Sequence, residues 1–286
     1  MKNCIEIKGL CKSYGDFSLN NIDLTLPGGS ILGLIGENGA GKTTTIKCIL
    51  NLIRRDAGEI TVLGHDNIRE ERLAKQDIGL VLDECFFHDT LRPLDVEKIL
   101  APAYKNWDSD LFRSYLDKFG LPEKKLIKDF SRGMKMKLSL SAALAHRPKL
   151  LILDEATAGL DPVVRDEILD EFLGFISDED HAILMSSHIT SDLEKVADYI
   201  AYIHQGQVVL SDAKDAILDS YGRVGCTAAQ LEAIAPDDVL RVRKGSFGCE
   251  ALVKDRAAFA RKYPMLLVER TTLEDIMLFV GKGEAK

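Results

Sequence analysis

Eight consecutive residues, Gly36-Glu37-Asn38-Gly39-Ala40-Gly41-Lys42-Thr43, fit the pattern G-x-x-x-x-G-K-[ST] in full. The chemistry that suits them is the holding of a polyphosphate. Three glycines let the backbone turn tightly and aim successive N–H groups at one anion, and a helix opening after them adds the positive end of its dipole. Lys42 supplies a mobile cation for the outer phosphates, and the Thr43 hydroxyl can ligate Mg²⁺. Farther along, Asp154-Glu155 follow the apolar run Leu150-Leu151-Ile152-Leu153. An acid closing an apolar strand is the usual second Mg²⁺ element beside such a loop, so Asp154 is the expected metal partner. Glu155 is then placed to orient or deprotonate a water attacking the terminal phosphate. Alone, each carboxylate reads equally as a helix cap or a surface acid; beside the loop, the functional reading takes precedence. His188 follows a further apolar run at 182–185 and, alone, reads as an ordinary polar residue at a strand end.

These groups can act together only if the elements around them converge. Residues 31–35 form a short apolar run bounded by Gly28-Gly29 and Gly36, which suits a strand buried on both faces. Ile46, Ile49, Leu50 and Ile53 fall at i, i+3, i+4 and i+7, one face of a helix. Neighbouring side chains on a strand point to opposite faces, so Asp154 and Glu155 serve one site only if the strand ends there and the chain turns. Ala156-Thr157-Ala158-Gly159 supplies that turn, and Asp161-Pro162 opens a helix with Asp as cap and Pro at the first position. Upstream, alternation around Ile5 and Ile7 and around Ile22, Leu24 and Leu26 predicts two antiparallel strands flanking a turn at residues 12–16. Tyr14 is expected in that turn, either packed or stacked on a nucleotide base.

Strands are expected at 58–64, 78–82 and 182–185, and a hairpin joins 199–203 to 208–210 around Gln205-Gly206. Residues 86–147 turn helical. Leu111, Phe112, Tyr115, Leu116 and Phe119 form one stripe ended by Leu121-Pro122, and a second helix starts near Gly133 behind a Ser131 cap and stops at Arg147-Pro148. Past residue 217, two strands over 239–253 turn at Gly245-Ser246-Phe247-Gly248, a helix covers 255–263 and a strand 265–268. Thr271-Thr272-Leu273-Glu274 then reads as a capping box opening a helix with Leu273, Ile276, Met277 and Val280 on one face. Buried strands alternating with helices, with polar clusters at the strands' C-terminal ends, describe an open α/β sheet with its ligand at that edge.

Composition narrows the partners. At 286 residues there is room for one large domain or for a core domain with an appendage. The formal net charge of −8 favours no nucleic-acid partner. The six cysteines lie far apart with no C-x-x-C pair, the pattern of reduced cytosolic thiols. The N-terminus lacks the apolar core of a signal peptide, and no stretch approaches the ~18 to 20 apolar residues of a spanning helix. Work at a membrane would need another chain to carry the spans.

The ordered set resembles the nucleotide-binding subunit of an ABC transporter of exporter-like type, over about residues 1–211. Tyr14 matches the family's base-stacking aromatic, Gly36 to Thr43 with Thr44 the first Walker motif, and Leu150 to Glu155 the second. Ser131 to Met134 match the signature, Ala158-Gly159-Leu160-Asp161 the D-loop and His188 the switch histidine. The signature reads Phe130-Ser131-Arg132-Gly133-Met134 against the common L-S-G-G-Q, keeping the hydroxyl of Ser131 and the backbone N–H of Gly133 that would face phosphate. Asp83 stands where the family has a glutamine; an acid could still hold Mg²⁺ or a water but cannot donate from an amide.

The resemblance implies a P-loop NTPase-type α/β fold with a mostly parallel sheet, an antiparallel β subdomain and a helical subdomain inserted at about 86–147. Residues 1–216 would form the nucleotide-binding domain and 217–286 a small α+β appendage. It implies ATP and Mg²⁺ as cofactors, with Lys42, Glu155 and His188 catalytic and Thr43, Asp154 and Asp83 on the metal. Gly36 to Thr44, Tyr14 and the signature's Ser131 and Gly133 would bind nucleotide. The partners implied are integral membrane subunits and a second, identical or similar, ATPase subunit, placing the chain in the cytoplasm at the inner face of the cell membrane. The implied role is ATP hydrolysis driving transport, in the direction of export. The alternative is a soluble ABC-type ATPase acting as an assembly scaffold or nucleic-acid factor, against which stand the single cassette, the absent coiled-coil insertion and the acidic charge. A GTP switch would need an N-K-x-D element, which the sequence lacks.

Overall fold

The computed structural model describes residues 2–245 and 248–284. Its central sheet has six strands in the order Gln207–Ala213, Tyr199–His204, Ser30–Ile35, Ala182–Ser187, Leu150–Asp154, Ile78–Val81. All but the first run parallel, and Gln207–Ala213 folds back antiparallel. Every residue of Ser30–Ile35, Leu150–Asp154 and Ala182–Ser187 is buried, as continuous apolar strands covered on both faces must be. Alternation within one strand feeds two cores: Ile31 and Ile35 join the helix-side cluster, Leu32 and Leu34 the cluster beneath the antiparallel sheet. Because Ser30 and Leu150 both pair with Ala182, Ile35, Asp154 and Ser187 end at one edge. The register therefore places the site.

The antiparallel sheet runs Phe17–Pro27, Asn3–Tyr14, Ala57–Val62, His65–Asp66. Tyr14 is the last residue of its strand, paired with Phe17, and not a turn residue; the turn shrinks to Gly15-Asp16, where Gly15 takes φ +45°. The inserted helical block holds Pro93–Leu100, Ser109–Lys118 and Arg132–Leu144. Phe112 and Leu116 are fully buried. Ser109–Lys118 is ended by Gly120 at φ +63°, a left-handed glycine that stops the helix before Pro122 is reached.

The C-terminal sheet is antiparallel, in the order Arg241–Gly245, Gly248–Val253, Gly222–Cys226, Val268–Arg270, over a cluster that includes Val224, Leu231, Ala251 and Phe259. The turn expected at Ser246-Phe247 lies outside the described residues. The expected strand at 265–268 forms instead at Val268–Arg270, because Met265 follows Pro264 into a turn and is 91% exposed. The capping box sits one residue later than expected, on Thr272 and Asp275, since Thr271 is buried. Its helix, Leu273–Lys282, buries Leu273, Ile276 and Phe279 in the helix-side core of the main sheet. Among the described residues no helix is long and apolar enough to cross a membrane.

Candidate functional site

The loop after Ser30–Ile35 is shaped by what crowds it. A Cβ on Gly36 would overlap the Ile203 carbonyl, and one on Gly41 would come 2.5 Å from Leu19 Cδ2 and 3.1 Å from Phe17 Cζ. Gly39 and Gly41 take φ of +82° and +117°, open to glycine and strained for other residues. Ala40 N–H donates to Glu37 O at 3.1 Å and closes the turn, while Glu37, Asn38 and Gly39 face solvent. The helix Lys42–Ile49 opens on Gly41 with no side-chain cap, and its first internal bond is Thr45 N–H to Gly41 O at 2.8 Å. The N–H groups of Lys42, Thr43 and Thr44 are thus left to the site. Lys42 is 5% exposed, its Nζ 2.7 Å from Gly36 O and 3.3 Å from both Glu37 O and Glu155 Oε1, whereas Thr43 is exposed and Thr44 half-buried.

The acidic pair solves the opposite-face problem through its backbone. Asp154 ends its strand 4% exposed, with Oδ1 accepting from Ser186 Oγ at 2.5 Å. Glu155 then takes φ +53°, a left-handed conformation that a non-glycine residue adopts at a cost of about 1–3 kcal/mol, and this turns its side chain back over the loop. Its N–H is held by Ser186 O and Oγ at 3.1 and 3.2 Å. Glu155 Oε1 meets the Lys42 ammonium, at an angle that completes no hydrogen bond. Oε2 accepts from His188 Nδ1 at 2.5 Å and from His188 N–H at 3.3 Å. A carboxylate only accepts, so Nδ1 carries the proton.

Lys42, Asp154, Glu155 and His188 therefore come together at the sheet's C-terminal edge. The other expected site residues stand apart from this cluster. Tyr14 is 45% exposed, with Lys12 Nζ 5.1 Å from its ring centre. Asp83 lies exposed two residues past Val81 at the same edge and, among the described residues, makes no hydrogen bond or ion pair. Ser131 is exposed, and its Oγ caps Arg132–Leu144 by accepting from Met134 N–H at 3.2 Å. Gly133 packs toward Val164, and the Arg132 guanidinium covers Gly159 of the turn after Glu155. Two contributors escaped the sequence reading. Phe17 packs on Gly41 with no signal beyond its place after the turn, and Ser186, which holds Asp154, was signalled only as a polar residue ending an apolar strand.

The arrangement pairs a cation and free helix N–H groups with two carboxylates across one opening, the charge pattern that a polyphosphate and a water require. The profile of the ABC transporter family matches residues 19–158. The lantibiotic transport ATP-binding protein SrtF of Streptococcus pyogenes is 36% identical over 214 residues, covering 74% of this chain and 91% of SrtF. The bacitracin transport ATP-binding protein BcrA of Enterococcus faecalis is 36% identical over 213 residues, 73% of this chain and 69% of BcrA. A solved ATP-binding subunit of an ABC transporter superposes with a TM-score of 0.69 at 26% identity, over 75% of this chain and 91% of that one. The chain belongs to the ABC transporter family, as one of its ATP-binding, ATP-hydrolysing subunits.

Proposed function

We propose that residues 36–44 hold the phosphates of ATP, that Glu155 takes a proton from the attacking water, and that this chain powers export through separate membrane subunits. The observation that carries the reading is the line Lys42–Glu155–His188, with the lysine ammonium and the histidine N–H on opposite oxygens of one carboxylate. His188 fixes the orientation of that carboxylate, and a phosphate drawing Lys42 away would free Oε1 for a water proton. Tyr14 stacks the base beside the loop.

The donor set fits Mg²⁺. Thr43 and Asp154 offer the hard oxygen atoms that suit an ion held largely by substrate phosphates and water. When bound, Mg²⁺ neutralises phosphate charge. Asp83, exposed at the same edge, would offer a carboxylate to it or to a water beside it.

Residues 1–216 act as the nucleotide-binding domain and 217–286 as an accessory one. Ser131, exposed, and Gly133, half-buried, both away from the chain's own loop, serve a second, identical or similar, ATPase subunit, so two nucleotides lie between two chains. The helical block at 86–147 passes the closure to integral membrane partners, and the chain works in the cytoplasm at the inner face of the membrane. Relatives named for lantibiotic and bacitracin transport favour a cargo of that kind. Affinity capture from detergent-solubilised native membranes is expected to recover an integral membrane protein that stimulates ATP hydrolysis. Recovery of soluble partners alone would favour a scaffold ATPase instead.

A further inference from the structure

Glycine weakens a helix, yet Gly281 is the penultimate residue of Leu273–Lys282. A Cβ there would overlap Glu37 Oε1 and lie 3.2 Å from Glu37 Cδ, so the carboxylate of the phosphate loop rests on the bare Cα of the C-terminal helix. The other end of this helix meets the element that follows His188. Leu273 N–H donates to Glu194 Oε1 at 2.7 Å, and Glu194 belongs to the helix Thr190–Val196 that opens two residues after His188. Between the two ends, the buried Tyr202 donates its hydroxyl to Met277 O at 3.2 Å. Burial, with a smaller contribution from the Glu37 charge, pushes the Tyr202 phenol up to about 12, so it remains a donor at neutral pH. The helix is equally tied to the C-terminal sheet: Arg223 reaches Asp275 at 3.4 Å, Arg243 lies 5.6 Å over the Phe279 ring, and Val242 and Glu284 exchange backbone bonds of 2.8 and 2.9 Å.

We infer that Leu273–Lys282 is a strut through which the C-terminal segment sets the shape of the nucleotide site, with Gly281 positioning Glu37 and Glu194 positioning the helix behind His188. The inference rests on residues 36–44 being that site. A side chain at 281 drives the Glu37 carboxylate off the helix and toward the loop amides, where negative charge competes with phosphate. A methyl is met by turning the end of the exposed Glu37 side chain aside, and an isopropyl group displaces that carboxylate farther.

The test is MgATP binding to the full chain by equilibrium dialysis, in a double-mutant cycle. Gly281→Val is expected to raise Kd about fivefold and Gly281→Ala about twofold, and both effects disappear when Glu37→Ala is already present. A role confined to stability would lower the thermal midpoint without that dependence on Glu37. Equal Kd for the unaltered protein and Gly281→Val overturns the strut, and so does an equal rise in both backgrounds. Should Gly281→Val not fold, the Gly281→Ala cycle decides by the same criterion. Absence of MgATP binding by the unaltered protein would defeat the nucleotide-site reading itself.

Discussion

At the N-terminal end of the parallel sheet His146 is 1% exposed, with Nε2 3.0 Å from the Ile78 carbonyl and its ring stacked on Tyr104 at 4.0 Å; at the C-terminal end the His188 side chain is 48% exposed, with Nδ1 2.5 Å from Glu155. Both are histidines at the ends of apolar strands or helices. Their surroundings separate them. His146 has a neutral carbonyl and an aromatic ring, so burial dominates and pushes its pKa down, with the Ile78 bond opposing more weakly. His188 instead shares a carboxylate with the ammonium of Lys42. Burial alone marks a packing residue, and converging charge next to free helix N–H groups is what the proposed site requires of a working one.

Substitutions at the charged end sharpen that contrast. Glu155→Gln keeps the shape and removes the proposed base, so kcat for ATP should fall about a thousandfold while MgATP still binds. The stalled protein should then run as a dimer on gel filtration with ATP and Mg²⁺; a monomer, from a chain whose unaltered form hydrolyses ATP, would show that closure does not depend on the stalled nucleotide. Lys42→Ala removes a buried cation worth about 3 kcal/mol to a bound phosphate, so Kd for MgATP should rise roughly a hundredfold in calorimetric titration. His188→Gln should lower kcat about tenfold and leave KM within a factor of two, because only the orientation of Glu155 is disturbed. A change confined to KM would mean that His188 touches the nucleotide and not the base.

Much of this edge was legible in the sequence because each element carries its own stop signal. Ser131 and Asp161 cap the helices they were expected to cap, and the strand at Leu150 ends where the acids begin. The left-handed turn at Glu155 was not legible, since a glutamate has no sequence mark for positive φ and the conformation is imposed by Ser186 holding its N–H. Thr271 and Thr272 offered two equivalent caps, and burial of the first decided between them. Gly222–Cys226, short and holding two glycines, gave no strand pattern; its partners make it a strand. The apolar stripe of the last helix announced a buried face, but a stripe does not say what it packs against, and the contact with Glu37 followed only from the fold.

The uncharged end yields the smallest and most local effect. The folded pKa of His146 lies below the ordinary value of about 6.5 that it regains on unfolding, so between the two the unfolded chain binds the extra proton. Stability from this group is complete above about pH 6.5 and is lost as pH falls toward the folded pKa, by at most about 1.4 kcal/mol at pH 5.5. His146→Gln keeps an N–H for the Ile78 carbonyl and has nothing to protonate. Urea unfolding at pH 7.5 and 5.5 should therefore show a shallower loss of stability for the variant than for the unaltered chain, while MgATP binding at pH 7.5 is unchanged. Parallel pH slopes would mean that His146 is as open to protons as a surface histidine, and the contrast between the two ends of the sheet would then have to rest on charge alone.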